Sequence, residues 1–230
     1  MKNEPMIFAG AVVIGLSNVA DGDVRTAEKV GDELAKVRAS RRTFLARMGA
    51  NESNTVLVKF DDDSDDFCRY KTVDKRDAGR GMIAGLTIDS ADALFTKDKN
   101  LALFLPLADC LGAVIYDTKN GVLAVAHLGR HSTEQHGARK VIEYMKKEFG
   151  SKPANIKVWF SPSADKGNYP LYAFDNQSLQ DVNVGHLAEV GVPLENMTRN
   201  TVDTTTDDDY FSHSQGDKDK RFAIVAYVKK

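Results

Sequence analysis

The sequence predicts an α/β fold, a single compact domain over residues 1–230 built on a mixed β-sheet with flanking helices. Three observations predict it. Short apolar, β-rich runs recur along the whole chain: IFAGAVVIGLS, NTVLVKF, LALFLPLADC, GAVIYD, GVLAVAH, NIKVWFS and RFAIVAYV. Segments of helical spacing separate some of these runs and not others, so the sheet is expected to be mixed rather than parallel. No stretch has the composition of an interdomain linker, and no internal repeat or low-complexity tract breaks the chain.

The elements follow in order. IFAGAVVIGLS reads as a buried strand, followed by a polar stretch over residues 18–25. In TAEKVGDELAKVRASRRTFLARMGA, the residues Val30, Leu34, Val37, Phe44, Leu45 and Met48 fall near helical spacing, and Gly49 is a natural stop. NTVLVKF is a short strand. The charged segment DDDSDDFCRYKTVDKRDAGRG follows, and its acidic cluster at 61–66 reads as a solvated loop, with metal binding as the sharper alternative. IAGLTIDSADALFT leads into the buried-strand pattern LALFLPLADC. GAVIYD and GVLAVAH flank an Asn120-Gly121 step, which predicts a hairpin. Ser132 with Gln135 has capping-box spacing and predicts the start of a helix through EQHGARKVIEYMKKEF. NIKVWFS is a strand. SLQDVNVGHLAEVGV is a helix with Leu179, Val182, Leu187 and Val190 inward and His186 outward. RFAIVAYV is the last strand.

The totals exclude several classes of protein. Of the 230 residues, 42% are hydrophobic and 28% charged, and the formal net charge is −2. No global field draws such a chain to nucleic acid or anionic lipid. No apolar run reaches the ~20 residues that span a bilayer. The apolar stretch at 6–16 lacks the flanks of a signal peptide. Two cysteines cannot form a disulfide framework for this length, so the expected setting is reducing and cytoplasmic.

One stretch carries chemistry. Cys110 closes one apolar run and His127 closes another, in a chain with only two cysteines and five histidines. Adjacent strands lie about 4.8 Å apart, so two strand ends at one sheet edge can bring thiol and imidazole together. Such a pair has two uses. The imidazole can take the thiol proton and activate a nucleophile. Alternatively, both side chains are good ligands for Zn²⁺ or copper, and a third ligand would leave an open catalytic position. A buried, inert cysteine beside a satisfied histidine is the plain alternative.

The string SADALFT, then LADC, then AHLGRHST resembles the YfiH family, also called the laccase-domain or multicopper polyphenol oxidase family. Its members read roughly ADALVT, TADC and AHAGWRGT. IGLSNVADGDV, KVRASRRTFLARMGA, WFSPSADKGNYPL and the tail TTTDDDYFSHSQGDKDKRFAIVAYV are similar to further family segments in the same order. The resemblance implies a compact α/β domain, similar also to the catalytic domain of cytotoxic necrotizing factor, a Cys–His deamidase. It implies a zinc ion on Cys110, His127 and a third ligand, with copper as the older assignment. It also implies activity on purine nucleosides: phosphorolysis of adenosine, inosine or methylthioadenosine, or deamination of adenosine. The expected partners are a small-molecule nucleoside and phosphate, with no nucleic acid and no membrane; the oligomeric state is left open.

The departures are specific. The family's first ligand is a histidine in a Gln-Val-His-Gly segment, where this chain has Lys59, Phe60 and Asp61. Asp61, or its neighbour Asp62, is then the expected carboxylate ligand. Arg130 and His131 follow the AHLG motif in place of Trp-Arg. His213 stands where the family has a pocket-side aromatic residue, and Arg221 stands near its Gly-Arg. These four are expected to line the substrate pocket, and Asp109 is a candidate acid or base beside Cys110. His136 is expected to be an exposed helical residue, and Cys68 a bystander. A catalytically silent ligand- or partner-binding member, a metal-free Cys–His hydrolase or deamidase, and a copper-dependent polyphenol oxidase remain alternatives.

Overall fold

Runs of Val, Ile, Leu and Phe bounded by Gly, Asn and Asp become strands in a computed structural model that describes residues 6–8, 10–26, 32–61 and 63–230. The strands form two sheets. The first has the order β1 (Met6–Phe8), β2 (Val12–Leu16), β11 (Phe222–Val228), β6 (Ala102–Leu107), β3 (Thr55–Leu57). The second has the order β10 (Met197–Thr198), β9 (Ile156–Phe160), β7 (Leu111–Asp117), β8 (Val122–Leu128), β5 (Ala93–Thr96), β4 (Tyr70–Thr72). Both are mixed. β3 runs parallel to β6, β10 to β9 and β4 to β5, and the remaining pairs are antiparallel.

The sequence predicts one mixed sheet, and the structure has two, packed face to face. Alternation within β7 and β8 shows how. Val114, Tyr116, Leu123 and Val125 join a buried cluster with Leu103, Leu105 and Ile224 of the first sheet. Phe44, Leu45 and Met48 of α1 (Asp32–Arg47) belong to that same cluster. Ala113, Ile115, Ala124 and Ala126 turn the other way and pack on α3 (Gly137–Phe149) and α4 (Leu179–Glu189). A strand buried on both faces reads as a continuous apolar run, and such a run does not reveal what covers each face.

Several local expectations are refined. IFAGAVVIGLS is a hairpin of β1 and β2, turning at Gly10, rather than one strand. Helix α1 ends at Arg47, with Gly49 at φ 75° just beyond it. Val30 lies outside the described residues. The Asn120-Gly121 step forms the expected hairpin, and Asp117 Oδ1 accepts the Lys119 and Asn120 N–H groups inside the turn. Ser132 does not open the long helix. It sits inside a short helix, α2 (Arg130–Glu134), whose N-cap is Gly129, and α3 starts after His136.

His136 is exposed as expected, but it adopts φ 61° and ψ 39°, and its Nδ1 lies 3.1 Å from His186 Nε2. His186 faces inward, at 4% exposure, and not outward. Its position explains this: 179, 182, 186 and 190 fall on one helical face. One turn earlier, Asn183 Nδ2 donates to Thr133 Oγ1 at 2.9 Å, so two bonds fasten α4 to the α2–α3 junction.

Burial, and then the His136 imidazole, push His186 below the ordinary histidine value. The unfolded chain then binds the proton more readily than the fold does. This contribution to stability is complete above about pH 6.5, the unfolded value, and is lost as pH falls through the depressed folded value. His186→Leu is expected to flatten that acid limb. Urea midpoints at about pH 7.5 and about pH 5 should then differ less than in the wild type.

Candidate functional site

β6 belongs to the first sheet and β7 to the second, so Ala108, Asp109 and Cys110 carry the chain from one sheet to the other. Asp109 makes the corner at φ 75°, a region that Asp tolerates better than most residues. Its buried carboxylate holds the corner in place. Oδ1 accepts the Thr204 hydroxyl at 2.8 Å, and Oδ2 accepts the Ser214 N–H at 2.8 Å. Its carbonyl accepts the Ala164 N–H at 2.8 Å. Three distant segments thus close on one residue.

The register of β7 on β8 then fixes the chemistry. Gly112 is opposite His127, and Leu111 opposite Leu128. Cys110, two residues before Gly112, is therefore on the same face as His127 as a diagonal neighbour. Gly112 has no side chain to hold the sheets apart: a Cβ there would overlap Ile224 and lie 2.8 Å from Leu107 Cδ1. At Gly129, an added Cβ would lie 3.2 Å from Cys110 Sγ and 3.3 Å from His127 Nε2. Thiol and imidazole nitrogen therefore look into one small space, which a glycine leaves open.

Phe60 completes the wall. Its ring stacks on His127 with centroids 4.0 Å apart and planes 16° from parallel. The His127 backbone N–H donates to the Asp92 carbonyl at 2.8 Å. The Asp92 carboxylate accepts the Arg69 guanidinium and backbone N–H. The cavity so formed has a volume of about 200 Å³, and Tyr169, His213, Ser214 and Arg221 are among its lining residues. Burial pushes the Tyr169 phenol above its ordinary value, so it stays protonated and able to donate. The Arg130 guanidinium lies over its ring, 4.5 Å from the centroid, and 5.8 Å from that of Tyr172.

The expected site residues divide. Cys110, His127, Asp109, His213 and Arg221 line the cavity. Arg130 reaches it only through Tyr169. His131 turns away, stacked on Phe67 at 4.7 Å and 3.7 Å from Glu134. Asp61 is not aimed at the thiol–imidazole pair. Its Oδ2 lies 3.6 Å from Arg69, because that guanidinium, anchored on Asp92, is the nearer cation. Asp109 holds the corner through both carboxylate oxygens, each of which accepts a bond. Cys68 hydrogen-bonds the Gln135 carbonyl, and burial raises its thiol. Sequence reasoning missed Tyr169, whose only signal is its place in the NYP segment, and the stacking role of Phe60.

A catalytic zinc takes three protein ligands. Cys110 and His127 offer two donors beside the space left by Gly129. Among the described residues, no three His, Cys, Asp or Glu side chains converge to hold a metal. Phe60 lays its ring on the imidazole, and Asp61 faces Arg69. Asp62 lies outside the described residues. The described donors therefore do not complete a three-ligand zinc or copper centre.

The architecture has close relatives among solved structures. The YlmD structure from Geobacillus stearothermophilus superposes with a TM-score of 0.84 at 19% identity, covering 97% of this chain and 93% of that one. The YfiH structure from Bacillus licheniformis gives 0.82 at 20% identity, covering 98% and 99%. The sequence model of the multi-copper polyphenol oxidoreductase laccase family matches residues 14–177. The chain belongs to that family. Among curated relatives, the purine nucleoside phosphorylase YlmD of Bacillus subtilis is 28% identical over 173 residues, which is 74% of this chain and 61% of that protein. A purine nucleoside phosphorylase of Corynebacterium glutamicum is 26% identical over 157 residues, 68% of this chain and 60% of that protein. An adenosine deaminase from an unknown prokaryotic organism is 26% identical over 141 residues, 61% and 52%. These matches span little more than half of the curated relatives' own lengths. No described helix is long and apolar enough to cross a membrane.

The corner and the cradle can be tested separately. Asp109→Asn keeps the shape and the tolerance for positive φ but loses an acceptor. It is expected to lower stability by about 1–3 kcal/mol in urea unfolding. Gly129→Ala leaves an ordinary backbone conformation, φ −74°, but fills the space between thiol and imidazole. Alkylation of Cys110 by iodoacetamide should slow several-fold, while the urea midpoint moves little.

Proposed function

We propose that this protein is an enzyme acting on purine nucleosides, with the reacting end of the nucleoside held in the Cys110–His127 cavity. One observation carries the reading: Cys110 Sγ and His127 Nε2 share the opening beside Gly129, at the wall of a cavity with polar groups around it. Two of the curated relatives named above are purine nucleoside phosphorylases and one is an adenosine deaminase.

The roles follow from the groups themselves. In phosphorolysis, the bond from the sugar C1′ to the purine nitrogen breaks while a phosphate oxygen bonds to C1′. The leaving purine needs a proton on its ring. In this reading His127 takes the thiol proton of Cys110 and passes it to the purine as the bond breaks, and the hydroxyl proton of the phosphate restores the thiol once the pentose phosphate has formed. The thiolate left behind opposes the positive charge that develops on the sugar. The protonated Tyr169 phenol donates a hydrogen bond, and Phe60 keeps water from the exposed face of the imidazole.

Turnover of adenosine and inosine with phosphate tests this, read as free base and pentose phosphate. Cys110→Ala and His127→Ala are each expected to reduce kcat by about 10²–10⁴-fold without loss of fold. The stacking of Phe60 where a ligand is expected favours one further reading, a member that binds nucleoside without turning it over. Calorimetric binding of adenosine with no product formed would select it over the enzyme.

A further inference from the structure

The Cys110–His127 cavity is smaller than the ~300 Å³ at which ligand pockets usually begin. A groove of about 520 Å³ adjoins it, and the two share Phe60, Pro106 and Arg221. One wall of the groove is the segment 79–88. It is fastened along β3 by Gly79 N–H to the Thr55 carbonyl at 2.9 Å and Leu57 N–H to the Arg80 carbonyl at 3.1 Å. It is closed on itself by Gly81 N–H to the Leu86 carbonyl at 2.6 Å. This fixed wall presents Ile83 and Leu86, which are 38% and 45% exposed, unusual for such side chains.

The charge in the groove is cationic. Lys59, Lys218 and Arg221 line it, and none of them pairs with a carboxylate among the described residues. Arg221 Nη1 donates only to the carbonyls of Lys218 and Lys220, at 2.9 and 2.7 Å. Arg25 also reaches the groove but is committed to Asp23 and Glu33, each at 3.3 Å. Asp219 is the acid in the lining, and its carbonyl accepts from Arg25. Apolar side chains fixed beside a net excess of cations among the described lining residues suit a flat apolar ring that carries an anion.

We propose that the groove binds a purine nucleoside monophosphate. Its base lies against Ile83 and Leu86 with the glycosidic bond turned past Phe60 toward the Cys110–His127 cavity, and its own phosphate meets Lys59, Lys218 and Arg221. The chain therefore selects a nucleotide over the corresponding nucleoside. This rests on the nucleoside reading of the adjoining cavity and goes further in naming the substrate class. Each exposed cation contributes little, and several acting together contribute a salt-sensitive preference.

Calorimetry on the full chain tests this with adenosine monophosphate, adenosine, and adenosine with equimolar inorganic phosphate. The monophosphate is expected to bind about tenfold more tightly than adenosine at low salt, the scale of a few exposed charge contacts. The ratio should fall toward one in Lys59→Glu/Lys218→Glu and at high salt. Equal affinities, or a ratio untouched by charge reversal, overturn the proposal. So does free phosphate that tightens adenosine as much as the attached group does. Adenosine turnover alongside a ratio of one overturns this inference alone, whereas no binding of any of the three overturns it together with the nucleoside reading.

Discussion

Everything at the site depends on one corner. Asp109 takes the chain from the first sheet to the second at a positive φ, with its carboxylate tied to Thr204 and Ser214 and its carbonyl to Ala164. A buried carboxylate is tolerable only when its lone pairs are satisfied. The groups that satisfy this one come from segments far along the chain. The same bonds that stabilise the charge therefore also fasten Thr204 to the corner and draw Ser214 into the lining of the cavity. Cys110 follows Asp109 directly, so its direction is set by this corner and by the start of β7.

A second buried carboxylate plays the matching part on the other side. Asp92 precedes β5 and gives its carbonyl to the His127 N–H, while its side chain grips Arg69. Arg69 in turn reaches the Asp61 carbonyl and carboxylate. That anchors the strand extension that lays Phe60 on the imidazole. The result is a thiol and an imidazole between two carboxylate-anchored segments, with an aromatic ring stacked on the imidazole. The same ring lines both the cavity and the groove beyond it.

Much of this was legible in the chain because it is local. The β7–β8 hairpin follows from Asn120-Gly121 between alternating apolar runs, and that hairpin alone places Cys110 and His127 on one face. Helix α1 follows from the spacing of its apolar residues, and the inward turn of His186 could have been read from the same periodicity as Val182 and Val190. Other features were not legible. Ser132 and Gln135 have capping-box spacing, yet the helix starts beyond them, because His136 breaks the turn and Gly137 packs hard against Ser132. Local spacing cannot register such a contact.

The sequence by itself determined the strand and helix periods, the family, and the pair of donors at Cys110 and His127. Those properties reside in residue order, where neighbours along the chain decide the outcome. Only the tertiary structure decided that there are two sheets, that Asp61 serves Arg69, and that Asp109 spends its carboxylate on the corner. It alone joined a cationic groove to the cavity. Each of these is a competition among groups remote in sequence, settled by which partner lies nearest once the apolar faces have been buried.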